Sequence, residues 1–126
     1  MLAKLTIAFT RLLRRRFLQT KSKVETFIGF IIRAKKCKVG GNAINTLKKA
    51  HLIIVCKSAS QNTLSLALKF GKRFRCAVLK TENKLLEEYT FISNGKIMAV
   101  TDFALAKAVT ENMEKDLTIL NGEENG

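Results

Sequence analysis

Between Phe27 and Val55 the chain concentrates residue types suited to holding phosphate. Arg33, Lys35, Lys36 and Lys38 come first, Gly40-Gly41-Asn42 follows, and a short amphipathic segment leads into Leu52-Ile53-Ile54-Val55. A glycine pair takes backbone angles closed to other residues and lets another molecule's backbone come close, and an asparagine directly after it can cap the next helix. Such a helix start attracts phosphate, and the cations upstream strengthen the attraction. The pattern points to a small RNA-binding module. A plainer reading stands beside it, in which Gly40-Gly41 only turns the chain, Asn42 only caps a helix and the lysines form a solvated face. A phosphate-cradling loop of the nucleotide-hydrolase type is a poor match, because it ends in Gly-Lys-Ser or Gly-Lys-Thr and Gly41 is followed by Asn42-Ala43.

Other chemistries find less material. Cys37, Cys56 and Cys76 lie about twenty residues apart, without the close pairing of a zinc knuckle or redox dithiol. Cys56 ends an aliphatic run and Cys76 begins one, so both read as small buried apolar residues. The odd, sparse count suits a reducing compartment, and a cytoplasmic location is expected. His51 is the only histidine; it cannot build a two-histidine metal site and is expected to be structural. Paired carboxylates would have to come from Glu82, Glu87, Glu88 or Asp102, and no catalytic partner accompanies them. No catalytic residues, metal or cofactor are expected, and the chain is read as a non-enzyme.

Composition narrows the partners. The chain has 126 residues, room for one buried core, and a formal charge of +13, which favours a polyanionic partner such as nucleic acid or an anionic membrane surface. Residues 1–50 hold thirteen Lys and Arg against the single Glu25, whereas residues 111–126 hold five acids against Lys115. One end attracts phosphate and the other repels it.

The elements that must position these residues follow from periodicity. Residues 1–22 form a basic amphipathic extension, with Leu2, Leu5, Phe9, Leu12 and Leu13 at helical spacing and Lys4, Arg11, Arg14 and Arg15 on other faces. It is too short and too charged to span a membrane. It reads as an arm adding RNA or membrane affinity, as a targeting sequence, or as an extension without a role. From Lys23 helix alternates with strand. Val24, Phe27, Ile28, Ile31 and Ile32 mark a helical face ending near Ala34, Cys37–Val39 a very short strand, and Asn42–Ala50 a helix carrying Ile44 and Leu47. Leu52–Cys56 is a strand buried on both faces. Ser60 caps a helix lined by Leu64, Ala67 and Leu68 that ends at Gly71. Strands over Arg75–Leu79 and Ile97–Val100 flank a helix over Glu82–Tyr89, and Asp102 caps a last helix whose buried face includes Phe103, Ala106, Ala108 and Val109. After Met113 the chain turns acidic, and residues 115–126 are expected to be a disordered tail. Helices of about ten residues between strands imply a three-layer α/β/α sandwich with a small, mostly parallel (mixed) sheet of about four strands.

Several strings within about residues 24–113 resemble the ribosomal protein L-seven-Ae, L-thirty-e and S-twelve-e superfamily, and within it the small bacterial L-seven-Ae-like proteins. They are Ile28-Gly29-Phe30-Ile31-Ile32-Arg33-Ala34-Lys35-Lys36, Lys38-Val39-Gly40-Gly41-Asn42, Leu52-Ile53-Ile54-Val55, Ser58-Ala59-Ser60-Gln61-Asn62-Thr63, and the run from Ala99 to Ala108. Their order and spacing together carry the likeness. It implies a compact, noncatalytic α/β/α domain, residues 23–114, that binds kink-turn or similar internal-loop RNA within a ribonucleoprotein. In such proteins a glycine-containing turn meets sharply bent RNA where sheared G·A pairs expose guanine edges. The resemblance therefore implies guanine contact by Asn42 and close backbone approach at Gly40 and Gly41. Arg33, Lys35, Lys36 and Lys38 suit phosphate contact, which positions a complex without reading sequence.

The chain also departs from that pattern. The family places a glutamate directly after the asparagine and a lysine three residues further on, where this sequence has Ala43 and Thr46. Its later loop carries a Leu-Gly pair and a second glycine where this chain has Leu86-Glu87 and Phe91, which would bring Glu87 and Glu88 near the RNA. The expected partners are ribosomal or other structured noncoding RNA and ribosome or ribonucleoprotein components, with a monomeric protein and no integral membrane segment. The alternative is a protein-interaction module on the same scaffold, anchored to a membrane or partner by the N-terminal helix.

Overall fold

The computed structural model describes residues 22–121. Residues 1–21 of the expected N-terminal extension, read over 1–22, and the last five residues lie outside that range. Helix α1 (Lys23–Arg33) starts at a reciprocal cap: the Ser22 hydroxyl accepts from the Glu25 N–H at 3.1 Å, and the Glu25 carboxylate accepts from the Ser22 N–H at 3.2 Å. Val24, Ile28 and Ile31 recur at helical spacing and are fully buried. The chain then alternates through β1 (Cys37–Val39), α2 (Gly41–Asn45), β2 (Leu52–Val55), α3 (Gln61–Phe74), β3 (Ala77–Thr81), α4 (Leu86–Thr90), β4 (Ile97–Val100), α5 (Phe103–Glu111) and β5 (Leu117–Ile119).

The fold is the α/β/α sandwich expected, with two corrections to its sheet. Among the described residues it has five strands, in the order β1-β4-β2-β3-β5, of which only β2 and β3 run parallel. β4 is antiparallel to β1 and β2, and β5 is antiparallel to β3. A parallel crossover must carry the chain back along the full strand length. Five-residue α4 spans only about 7.5 Å, so the chain enters β4 from the sheet end where it left β3. The fifth strand comes from the segment read as a disordered acidic tail: Leu117 is fully buried, and the ordered domain runs to Asn121.

Strand residues alternate between two apolar layers. Leu52, Ile54, Leu79, Met98 and Val100 pack with residues of α1, α4 and α5. Ile53, Val55, Val78, Ile97 and Ala99 pack with Ile44 of α2 and with Ala67 and Phe70 of α3. Continuous aliphatic runs such as Leu52–Val55 are what a sheet covered on both faces requires.

Four helix expectations also change, and the helix read over Glu82–Tyr89 is only Leu86–Thr90. The helix expected over Asn42–Ala50 is only Gly41–Asn45. There the Thr46 hydroxyl donates to the Ala43 carbonyl at 2.7 Å, while Arg73 captures the carbonyls of Asn45 and Leu47 at 3.1 and 3.0 Å. Gly71 does not end its helix, which runs to Phe74 and closes at Arg75 in the left-handed region. Gly71 lies where α3 crosses the sheet, and a Cβ there would stand 2.4 Å from Val78 Cγ2. Phe103, expected in the core, is 64% exposed at the first position of α5.

Candidate nucleic-acid interface

The register places the Gly40-Gly41-Asn42 turn at the sheet end formed by the C-termini of β1, β2 and β3 and the start of β4. The Gly40 N–H donates to the Ile97 carbonyl at 2.9 Å, which fixes the turn to the start of β4. Gly40 has φ +98, a backbone that L side chains rarely adopt, and the space where its Cβ would stand is open. Gly41 is different. A Cβ at Gly41 would stand 2.8 Å from Leu66 Cδ2, so its missing side chain admits α3.

Gly40 is the N-cap of α2, and Asn42 lies inside the helix instead of capping it. The Asn42 side chain is exposed and, among the described residues, has no hydrogen-bond partner. At five residues α2 sums too few peptide dipoles for its start to attract an anion strongly. Attraction must come from side chains.

The seven residues singled out from the sequence do not all converge. Lys38, Gly40, Gly41 and Asn42 share the turn. Lys38 is exposed, and its neighbours Cys37 and Val39 pack into the opposite layer. Lys35 and Lys36 precede β1, across a strand of about 10 Å from the turn, and the Lys36 carbonyl accepts from the Thr101 N–H at 2.8 Å at the other sheet end. Arg33 ends α1 with its guanidinium 5.1 Å from the Phe30 ring centre and lines a small cleft of about 110 Å³ with Tyr89 and Phe91. Sequence proximity grouped cations that a three-residue strand separates.

A second loop completes the surface beside the turn. Gly95 packs against Val39, where an added Cβ would stand 3.0 Å from Val39 Cγ1 and 3.2 Å from the Ile92 carbonyl, so Ile92 and Gly95 run alongside the start of the turn while Phe91 lies at the Arg33 cleft. Phe91 is 89% exposed with φ 60, and Ile92 is exposed next to it. Both were missed as candidates. The available signal was two large apolar residues directly before Ser93-Asn94-Gly95, a turn too polar to bury them.

The acids near this loop are occupied. Lys96 Nζ stands 3.0 Å from one Glu87 oxygen and 3.2 Å from the other, and it also donates to the Ser58 hydroxyl at 2.9 Å. The hydrogen bond from Lys96 holds the Glu87 carboxyl below its usual range, against a smaller opposing effect of desolvation. Glu88 accepts from the Leu85 N–H at 3.0 Å. Neither thiol with a shifted pKa suits nucleophilic work: burial raises Cys37 despite nearby Lys38 and pushes Cys76 up to about 11.

No protein-family model and no curated protein matches the sequence. Among solved structures, the chain is similar to a protein of unknown function from Bacillus halodurans, with a TM-score of 0.64 and 16% identity, covering 75% of this chain and 99% of that one. At that identity the likeness concerns the fold. Among the described residues no helix is long and apolar enough to cross a membrane.

Proposed function

We propose that the protein is a noncatalytic binder of structured RNA of the ribosomal-protein type, reading a kink-turn or related internal loop with the Gly40–Asn42 turn. The carrying observation is Asn42, exposed and without a side-chain hydrogen-bond partner among the described residues, on a turn whose leading glycine leaves open space beside it. Its amide can donate to and accept from a base edge. Lys38 supplies phosphate contact, and Phe91 and Ile92 offer an apolar surface for a splayed-out base. Lys96 screens Glu87 from the RNA. Lys35 and Lys36 then belong to a more distant part of the footprint than the turn.

The test is a binding titration against a kink-turn RNA and against a copy whose G·A pairs are replaced by Watson-Crick pairs, each at two ionic strengths. The expected result is tighter binding of the G·A form at both ionic strengths, with affinity for both RNAs falling steeply as salt rises because bound lysines release counterions. Equal affinities would reject specific readout at the turn.

A further inference from the structure

At the sheet end opposite the Asn42 turn, the starts of β2 and β3 and the Val100–Phe103 junction surround an open hollow of about 410 Å³. Its wall carries Lys48, Lys49, His51, Arg73 and Arg75, its rim carries Phe103, and among the described residues no acid lines it. Lys48, Lys49 and Arg75 are exposed and have no ion-pair partner among the described residues. Asp102, next to Phe103, is occupied as the α5 cap, accepting from the Leu105 N–H at 2.9 Å. The cations are therefore uncompensated.

The hollow is also held in shape. Arg73 donates to the Asn45 side-chain oxygen at 2.8 Å as well as to the Asn45 and Leu47 carbonyls. It thus fixes the segment that presents Lys48 and Lys49. The His51 N–H donates to the Val100 carbonyl at 2.8 Å, and the His51 ring meets Phe103 edge-on with centroids 5.6 Å apart. Phe103 is thereby oriented while most of its surface faces solvent, an arrangement that suits a stacking platform better than a core residue.

We propose that this hollow binds an unpaired nucleotide of an RNA strand, its base stacked on Phe103 and its phosphates held by Lys48, Lys49 and Arg75. An aromatic platform beside a cationic groove is how proteins hold single strands, since every base has a π-face and every backbone has phosphates. The identity of the strand rests on the RNA-binding reading. The pocket chemistry uses nothing at the Asn42 turn.

The experiment titrates the full chain with a short single-stranded oligoribonucleotide and, in a second arm, with uridine monophosphate as competitor. Phe103→Ala is expected to weaken oligonucleotide binding about tenfold, the loss typical of one stacked base. The Lys48→Ala/Lys49→Ala double variant is expected to weaken it and to flatten its salt dependence. Both substitutions are at exposed positions, and unchanged melting temperatures verify that the variants fold. The kink-turn titration reads the turn with its own pair of RNAs, so failure at the turn and failure at the hollow are separable. Displacement by uridine monophosphate would show that one nucleotide suffices, and displacement only by oligonucleotide would assign the site to a strand; either outcome accords with the proposal when Phe103→Ala weakens the displaced binding about tenfold. Oligonucleotide affinities of the Phe103 and lysine variants all within about twofold of the parent would overturn it.

Discussion

Gly71, Glu87 and Asn42 differ in what their surroundings ask of them. At Gly71 a Cβ would meet Val78 Cγ2 at 2.4 Å, with Asn121 Nδ2 at 3.1 Å behind it. Alanine gains about 1 kcal/mol of helix propensity, but overpacking a closed helix-sheet contact costs about 1–3 kcal/mol. Gly71→Ala is therefore expected to lower stability in urea denaturation, against the usual effect of filling a helical glycine. Glu87 owes its lowered pKa chiefly to the hydrogen bond from Lys96. The folded state thus holds this proton less tightly than the unfolded chain, so the contribution is present above the ordinary carboxylate pKa and disappears as pH falls through the folded value. Glu87→Gln is expected to lower the melting temperature at neutral pH, with the difference from the parent shrinking in acid. The exposed Asn42 side chain makes no hydrogen bond among the described residues, so its replacement by alanine is expected to leave the melting temperature unchanged.

Among the elements, β5 changes the domain most. Asn121, just beyond it, is buried; its side-chain oxygen accepts from the Val78 N–H at 2.9 Å and its amide donates to the Cys76 carbonyl at 3.2 Å. Asn121→Ala leaves two buried backbone groups without partners, and a loss of about 1–3 kcal/mol is expected by chemical denaturation. The sequence disclosed elements that carry their own periodicity: α1 through Val24, Ile28 and Ile31, and β2 and β4 through unbroken aliphatic runs. It concealed those set by distant contacts. β5 is three residues among acids and exists because β3 offers an edge. Gly71 resembles a cap but serves the packing of α3 on Val78. Phe103 sits at a helical core spacing, but the first turn of α5 overhangs the sheet end beside His51. For the candidate site, the turn itself was legible because Gly40, Gly41 and Asn42 are contiguous. The division of the lysines between two sheet ends was not, since it depends on which way β1 runs.

Over the whole molecule, positive charge stands at both ends of the sheet, with Lys38 at the turn and Lys48, Lys49 and Arg75 at the hollow. Residues 1–21 add six more cations and no acid. Among the described residues the buried core runs from Val24 to Asn121. Removing residues 1–21 is therefore expected to reduce salt-sensitive affinity for every RNA about equally while leaving discrimination between G·A and Watson-Crick forms intact. Loss of discrimination on that deletion would move the reading element out of the folded domain. The most direct measurement is a two-by-two comparison of the parent chain and Asn42→Ala against the kink-turn RNA and its Watson-Crick counterpart at one fixed salt concentration. The expected result is about a tenfold loss for Asn42→Ala on the G·A form, the scale of a base-edge contact, with no change on the counterpart. Equal losses on both RNAs, or none on either, would contradict recognition through the Asn42 turn.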